Sequence, residues 1–111
     1  MPWISMRPPT RTMSEMASLL SQGAEEIKLA LDRLTHHPNV ASSHAIRARS
    51  VNNDMETLYA TALADLFKKP KDLDSVVMML KLREIYRHLF HAADRIGDVA
   101  NIVDDIVVKF F

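Results

Sequence analysis

The sequence contains no cysteine and only two glycines among its 111 residues. The absence of cysteine excludes disulfide bonds, thiolate zinc sites and thiol catalysis, and it is compatible with a reducing compartment. With so little glycine there is no glycine-rich loop for a nucleotide phosphate, and few tight turns to build a sheet. The composition therefore favours helices.

Neither sign of charge predominates, and long apolar runs are missing. Lys+Arg and Asp+Glu number 14 each, so the formal net charge at pH 7 is zero and no overall field would recruit nucleic acid or an anionic membrane. No apolar run approaches the ~20 residues of a membrane span, and the first residues lack the apolar core of a signal peptide. We therefore expect a cytoplasmic protein with no nucleic-acid partner and no membrane insertion.

The start of the chain predicts an extended leader over residues 1–11, followed by a single domain over residues 12–111. Three prolines in the first nine residues disfavour helical backbone there. Thr12 and Glu15 then form a Thr-x-x-Glu capping box, in which each side chain bonds the backbone of the other. The capping box predicts that the first helix starts at about Thr12.

Apolar residues spaced by threes and fours predict two helices before Pro70. Pro38 ends the first, because proline cannot continue the hydrogen-bond ladder, and the second begins between Asn39 and Ser43. The first stripe consists of Met13, Met16, Leu20, Ala24, Ile27, Leu31 and Leu34. The second consists of Ala48, Val51, Met55, Leu58, Ala62 and Leu66.

The third helix is predicted to be long, to be capped by Asp72 or Asp74, and to keep a heptad rhythm. Its stripe consists of Leu82, Ile85, Leu89, Ala92, Ile96, Val99, Val103, Ile106 and Phe110. Three amphipathic helices with short connections bury their stripes most simply as an antiparallel bundle. The predicted fold is an all-α, up-down-up three-helix bundle with a long third helix, whose apolar C-terminal end awaits a partner.

An acidic series on the third helix is the main candidate for a functional site. Asp94, Asp98, Asn101 and Asp105 step by 4, 3 and 4 residues and therefore share one face. About 160° separates Asp94 and Asp98 from Ile96, which predicts that they lie opposite the core stripe. Two interpretations are open: a solvated polar face, or a surface metal site, since carboxylates one turn apart can share a hard cation.

Two further residues extend the metal interpretation. His91 lies on the same face as the two aspartates, and an imidazole beside carboxylates favours a transition metal such as iron. Glu56, on the second helix, is the natural contributor from a neighbouring helix. The predicted ligands are thus Asp94, Asp98, Glu56 and His91, and the alternative for each added residue is an exposed side chain.

Gly97 is unusual within a helix, where glycine costs about 1 kcal/mol relative to alanine. Such a glycine usually permits the close approach of another backbone or a bulky ligand. The other explanation is that the helix tolerates the glycine and nothing packs against it. Catalytic motifs are absent, because the chain contains neither Glu-x-x-His, as in di-iron bundles, nor the Gly-x-Ser-x-Gly elbow of hydrolases. We therefore expect a protein that is not an enzyme.

The stretch from Asp94 to Asp104, with sequence DRIGDVANIVD, resembles the signature of the PhoU family of phosphate-regulatory proteins. The segments LREIYRHL and LYATALADLF upstream are similar to distant PhoU relatives that accompany Pit-type phosphate transporters. The resemblance covers about residues 7–111. It implies one of the family's two tandem three-helix bundles, the second, and therefore half of a family member.

The resemblance also implies a function. It suggests a cytoplasmic accessory or regulator of inorganic phosphate uptake, bound to a transporter or signalling protein, with acidic surface motifs that hold a divalent or iron-type metal. Asp94 and Asp98 match such a motif, whereas Asn52 and Phe90 stand where relatives carry acidic residues. We expect a homodimer that replaces the missing bundle; the alternative is a helical oligomerisation or scaffold module without a metal or phosphate role.

Overall fold

The fold consists of three α-helices packed side by side. The computed structural model of the protein describes residues 9–67 and 72–111. Within them, α1 is Pro9–Arg33, α2 is Pro38–Leu66 and α3 is Leu73–Phe110, and no strand occurs in these described ranges. Each helix contacts both others, which confirms the predicted all-α three-helix bundle. No helix in the described part of the chain is long and apolar enough to cross a membrane.

Contacts between α2 and α3 show that these two helices run in opposite directions. Asn52 lies against Gly97 and Tyr59 stacks on Phe90, so residue numbers rise along one helix as they fall along the other. A short turn over residues 34–37 likewise reverses the chain between α1 and α2. With 38 residues α3 is the longest helix, and at 1.5 Å per residue it accounts for the 58 Å length of the molecule.

The first helix begins at Pro9, so the predicted start at Thr12 is wrong, and residues 9–11 are helical rather than part of an extended leader. The rest of that predicted leader, residues 1–8, lies outside the described residues. Proline is tolerated at a first helical position, because the N–H that it lacks would have no intrahelical partner there. Thr12 lies inside the helix and is only 2% exposed, so it is part of the packing and not a cap.

Helix α2 begins at Pro38, one residue before the predicted range, with proline again in the first turn. Its predicted stripe is confirmed, since all its members are buried except Leu58, which is partly buried. The predicted cap of α3 is also confirmed. The carboxylate of Asp72 accepts a hydrogen bond of 2.8 Å from the backbone N–H of Ser75.

The stripes of α1 and α3 are each rotated from their predicted orientation. On α3, Leu82 and Val103 are buried as expected, but Ile85, Ala92, Val99 and Phe110 are exposed. The residues buried in their place are Tyr86, Ala93, Gly97 and Ala100. On α1 the predicted Ala24 and Leu31 are exposed, whereas Gly23 and Ala30 are buried.

Close helix packing explains the rotation. A Cβ atom built on Gly23 would lie 3.1 Å from two side-chain carbons of Ile96. The small residues therefore face the neighbouring helices and let the backbones approach, while the larger apolar residues beside them remain outside. As a result, the third helix keeps an apolar line that the bundle itself does not cover.

Candidate functional site

The four predicted metal ligands lie on the edge of the bundle where α2 meets α3. Asp94 is half-buried, and Asp98, His91 and Glu56 are exposed. The antiparallel register places Glu56 approximately level with Asp94 along the bundle. The expectation that Asp94 lies opposite the core is wrong, because its neighbour Ala93 faces the core and Asp94 therefore flanks it.

The structure does not bring the predicted ligands together as one set. Among residues 9–67 and 72–111, no group of three or more histidines and carboxylates is placed to hold a metal ion. Asp94 and Asp98 remain neighbours, because residues four apart on a helix lie one turn from each other. A cation at this pair would need water or ligand oxygens for its other positions. Metal binding by the four residues stays a prediction.

Gly97 is closely approached by the side chain of Asn52, and not by the backbone or ligand that the sequence suggested. A Cβ atom built on Gly97 would lie 2.7 Å from Asn52 Nδ2. Asn52 Oδ1 is buried and has no hydrogen-bond partner within the described residues. An unpaired buried amide oxygen costs free energy, so this contact gives α2 and α3 their register at some expense in stability.

An aromatic pair lies beside the predicted ligands. The rings of Tyr59 and Phe90 are parallel within 9°, with centroids 4.6 Å apart, and Phe90 also contacts the ring of His91 at 5.7 Å. Phe90 therefore packs against α2 and supplies an apolar contact between the two helices.

Asp104 links the same two helices farther along and was not singled out from the sequence. Its carboxylate accepts a hydrogen bond of 3.0 Å from Ser42 Oγ and pairs with the guanidinium of Arg49. Asp104 lies seven residues after Gly97 and therefore on the same face of α3. That spacing is the signal that could have identified it as a contact to α2.

His44, for which the sequence offers no partner, contacts Glu26 across the turn between α1 and α2. Its Nδ1 atom lies 2.7 Å from Glu26 Oε2, and both side chains are mostly buried. The two residues are almost equally distant from the connecting turn, so the hairpin itself brings them level. This pair joins the first two helices and is remote from the predicted ligands.

Two further features of the described residues lie away from the predicted ligands. Two open grooves of about 530 and 600 Å³ lie between α1 and α2, and neither is lined by a predicted ligand. On the outer face of α3, a hydrogen bond from Arg87 lowers the pKa of the exposed carboxyl of Glu84.

No family model matches the chain, and none of the curated proteins or solved structures is significantly similar to it.

Proposed function

We propose that the chain is a regulator or accessory protein of inorganic phosphate transport, and that it acts in the cytoplasm by binding other proteins and not by catalysis. The observation that supports protein binding is the series of large apolar side chains exposed along α3. Leu73 is 76% exposed and Val108 is 82% exposed, and Ile102 between them is also exposed. Where such residues are contiguous, as at the start of α3, exposed apolar surface marks an interaction site on a soluble protein.

The link to phosphate rests on the resemblance of residues 94–104 to the PhoU signature. The geometry is compatible with it, because Asp98 is exposed and Asp94 half-exposed on an accessible edge of the bundle. Two carboxylates are enough for a magnesium-like ion, which typically keeps one or two of them and completes its shell with water and phosphate oxygens. The proposal is therefore a weak cation site at Asp94 and Asp98, with Glu56 and His91 nearby.

Phosphate uptake tests this proposal. Deleting the gene in its source organism is expected to change the initial rate of radiolabelled phosphate uptake severalfold, and the wild-type gene supplied on a plasmid should restore it. Uptake of sulfate is the control and should remain unchanged. Equal phosphate uptake with and without the gene, under both phosphate starvation and phosphate excess, would contradict the proposal.

The alternative function is a helical oligomerisation or scaffold module, favoured by the same exposed apolar residues. The neutral substitutions Asp94→Asn and Asp98→Asn distinguish phosphate regulation from a scaffold role, because they keep the shape of the side chains and remove the charge. If the carboxylates serve phosphate regulation, the double variant should fail to restore uptake and should retain less metal than the wild type by mass spectrometry. A scaffold module would tolerate both changes.

We further propose that the chain forms a homodimer through the end patch, which comprises five exposed apolar residues at the end of α2 and the start of α3. These are Phe67, Leu73, Val76, Val77 and Leu80. The charges beside the end patch suit antiparallel pairing of two copies about Val77. Such pairing brings Asp74 of one copy opposite Lys81 of the other on the same flank, and the opposite charges attract.

Light scattering is expected to give twice the chain mass of 12.6 kDa at micromolar concentration. Val77→Asp should yield the monomer mass, because it buries a charge at the centre of the patch. Val108→Asp is the matched control at the other end of α3 and should remain dimeric. A monomeric wild type, or equal masses for the two variants, would exclude dimerisation through the end patch.

A further inference from the structure

The groove between α1 and α3 exposes apolar residues on both of its sides. Ile96 faces Gly23 of α1, so the residues one turn before and after Ile96, Ala92 and Val99, border the same helix. On α1, Gln22 and Glu26 line the side towards α2, which leaves Ala24 and Leu31 on the side towards α3. Leu31, in the last turn of α1, is 53% exposed.

Both sides of this groove repeat every seven residues. We define the α1/α3 groove by the six residues Ala17, Ala24, Leu31, Ala92, Val99 and Ile106, of which only Ile106 is partly buried. The contact of Gly23 with Ile96 sets the two series at similar heights along parallel helices. From Ala92 to Ile106 the groove is about 21 Å long, the length of about four helical turns. Seven-residue spacing of apolar residues is the pattern that receives another helix.

The charges beside the groove are mainly positive. Lys28 borders it on α1, and Arg95 borders it on α3. Neither has an ion-pair partner among the described residues, whereas Arg49 and Arg87 elsewhere on the surface do. Asp32, one turn after Lys28, is the acidic exception. An occupant with carboxylates along its edges would therefore find complementary charges.

We propose that the α1/α3 groove binds an amphipathic helix of a partner protein whose apolar stripe is flanked by Asp and Glu residues. The added helix would complete a four-helix bundle and cover the apolar residues that the three-helix bundle leaves exposed. This inference rests on the proposed function, because it identifies the surface by which the chain would contact its partner.

Two other occupants fit the groove less well. A second copy would present its own groove with the same positive edges, and like charges would repel. A membrane surface favours protruding aromatic and leucine side chains, whereas half of the groove residues are alanines, whose side chains protrude little. A helix fits beside small residues because its own side chains can insert between those of the groove.

The test uses a fluorescein-labelled helical peptide of about three heptads, with leucine at the two core positions and glutamate at the flanking ones. Fluorescence anisotropy should show saturable binding to the full chain. The same peptide with lysine in place of glutamate should bind much more weakly. Absence of saturable binding by the glutamate peptide, or a preference for the lysine peptide, would overturn the proposal.

Paired variants of the full chain localise the binding. Val99→Gln should weaken binding of the glutamate peptide by at least about tenfold. Ile46→Gln, at a 56% exposed apolar residue on α2 and therefore outside the groove, should change it less than about twofold. Circular dichroism checks that both variants remain helical. Equal affinity of the two variants would show that the peptide binds elsewhere and would overturn the proposal.

Charge reversal supplies the second line of evidence. The double variant Lys28→Glu with Arg95→Glu should bind the lysine peptide more tightly than the glutamate peptide. The control, Arg33→Glu with Arg47→Glu, makes the same change in net charge outside the groove and should still prefer the glutamate peptide. Binding of the wild type to anionic phosphatidylserine vesicles that Val99→Gln abolishes would instead identify a membrane surface.

Failure of this inference is distinguishable from failure of the proposed function. If gene deletion alters phosphate uptake and Val99→Gln restores it fully, only the groove is wrong. If the peptide binds as described and deletion leaves uptake unchanged, the groove stands and the phosphate role is wrong.

Discussion

Replacing Met55 with alanine is expected to lower the free energy of unfolding by about 2–5 kcal/mol. Met55 is fully buried and packs with Met16, Met79 and Leu82 in the largest apolar cluster of the described bundle. Truncation removes the transfer free energy of its side chain and leaves a cavity that three rigid helices close only partly. Since small domains are stable by only about 5–15 kcal/mol, this loss is a large fraction of the total.

Urea denaturation followed by circular dichroism measures the effect as a lower transition midpoint with an unchanged slope. Met78→Ala is the matched control, because Met78 is 43% exposed on the outside of the bundle. Its transition midpoint should correspond to a free energy of unfolding within about 0.5 kcal/mol of the wild-type value. Equal losses for the two methionine variants would mean that the described burial of Met55 is wrong.

Replacing Gly97 with alanine is expected to destabilise the bundle by about 1–3 kcal/mol, although alanine is the better helix former. The new Cβ atom would meet Asn52 Nδ2 at 2.7 Å, closer than such atoms approach each other. Although Nδ2 is the end of the side chain, the oxygen of the same amide is already buried between the helices, so turning the amide aside is costly. The overpacking cost therefore exceeds the gain of about 1 kcal/mol in helix propensity.

A double-mutant cycle tests the cause of this loss. Asn52→Ala removes the amide that Gly97 accommodates, and with it the buried oxygen that has no partner. The double variant, with both Asn52 and Gly97 replaced by alanine, should therefore be at least as stable as the wild type. Asn53→Ala, at the exposed neighbouring position, is the matched control and should show no coupling to Gly97→Ala. A coupling energy near zero for Asn52 would contradict the described contact.

The acidic series on α3 shows which part of the candidate site could be predicted from the sequence. Residues four apart on a helix are neighbours whatever the tertiary structure, so the pairing of Asp94 with Asp98 was predictable. The contribution of Glu56 was not, because it depends on how closely α2 approaches α3. Phe90 stacking on Tyr59 and Asn52 filling the space at Gly97 decided that contact, and the described residues assemble no ligand set of three or more there.

The contacts of Asp104 and His44 could not be predicted from the sequence either. Asp104 contacts Ser42 and Arg49, and His44 contacts Glu26, so each contact joins two different helices. No local rule links residues so far apart in the chain. Only the register between antiparallel helices brings them together. Once the register of α2 and α3 is known from Asn52 and Gly97, the contacts of Asp104 follow from counting residues along those two helices. The contact of His44 with Glu26 follows from counting outward from the turn between α1 and α2.

The sequence by itself determined the number of helices, their approximate ends and the importance of Gly97, because helical periodicity and proline positions act within a few residues. The tertiary structure alone decided how each helix is turned about its axis. A stripe spaced by threes and fours covers a broad band of the helix surface, and close packing at Gly23 and Gly97 selected which part of that band faces inward. The remaining part of the band, from Ala92 to Ile106, therefore lies in the α1/α3 groove.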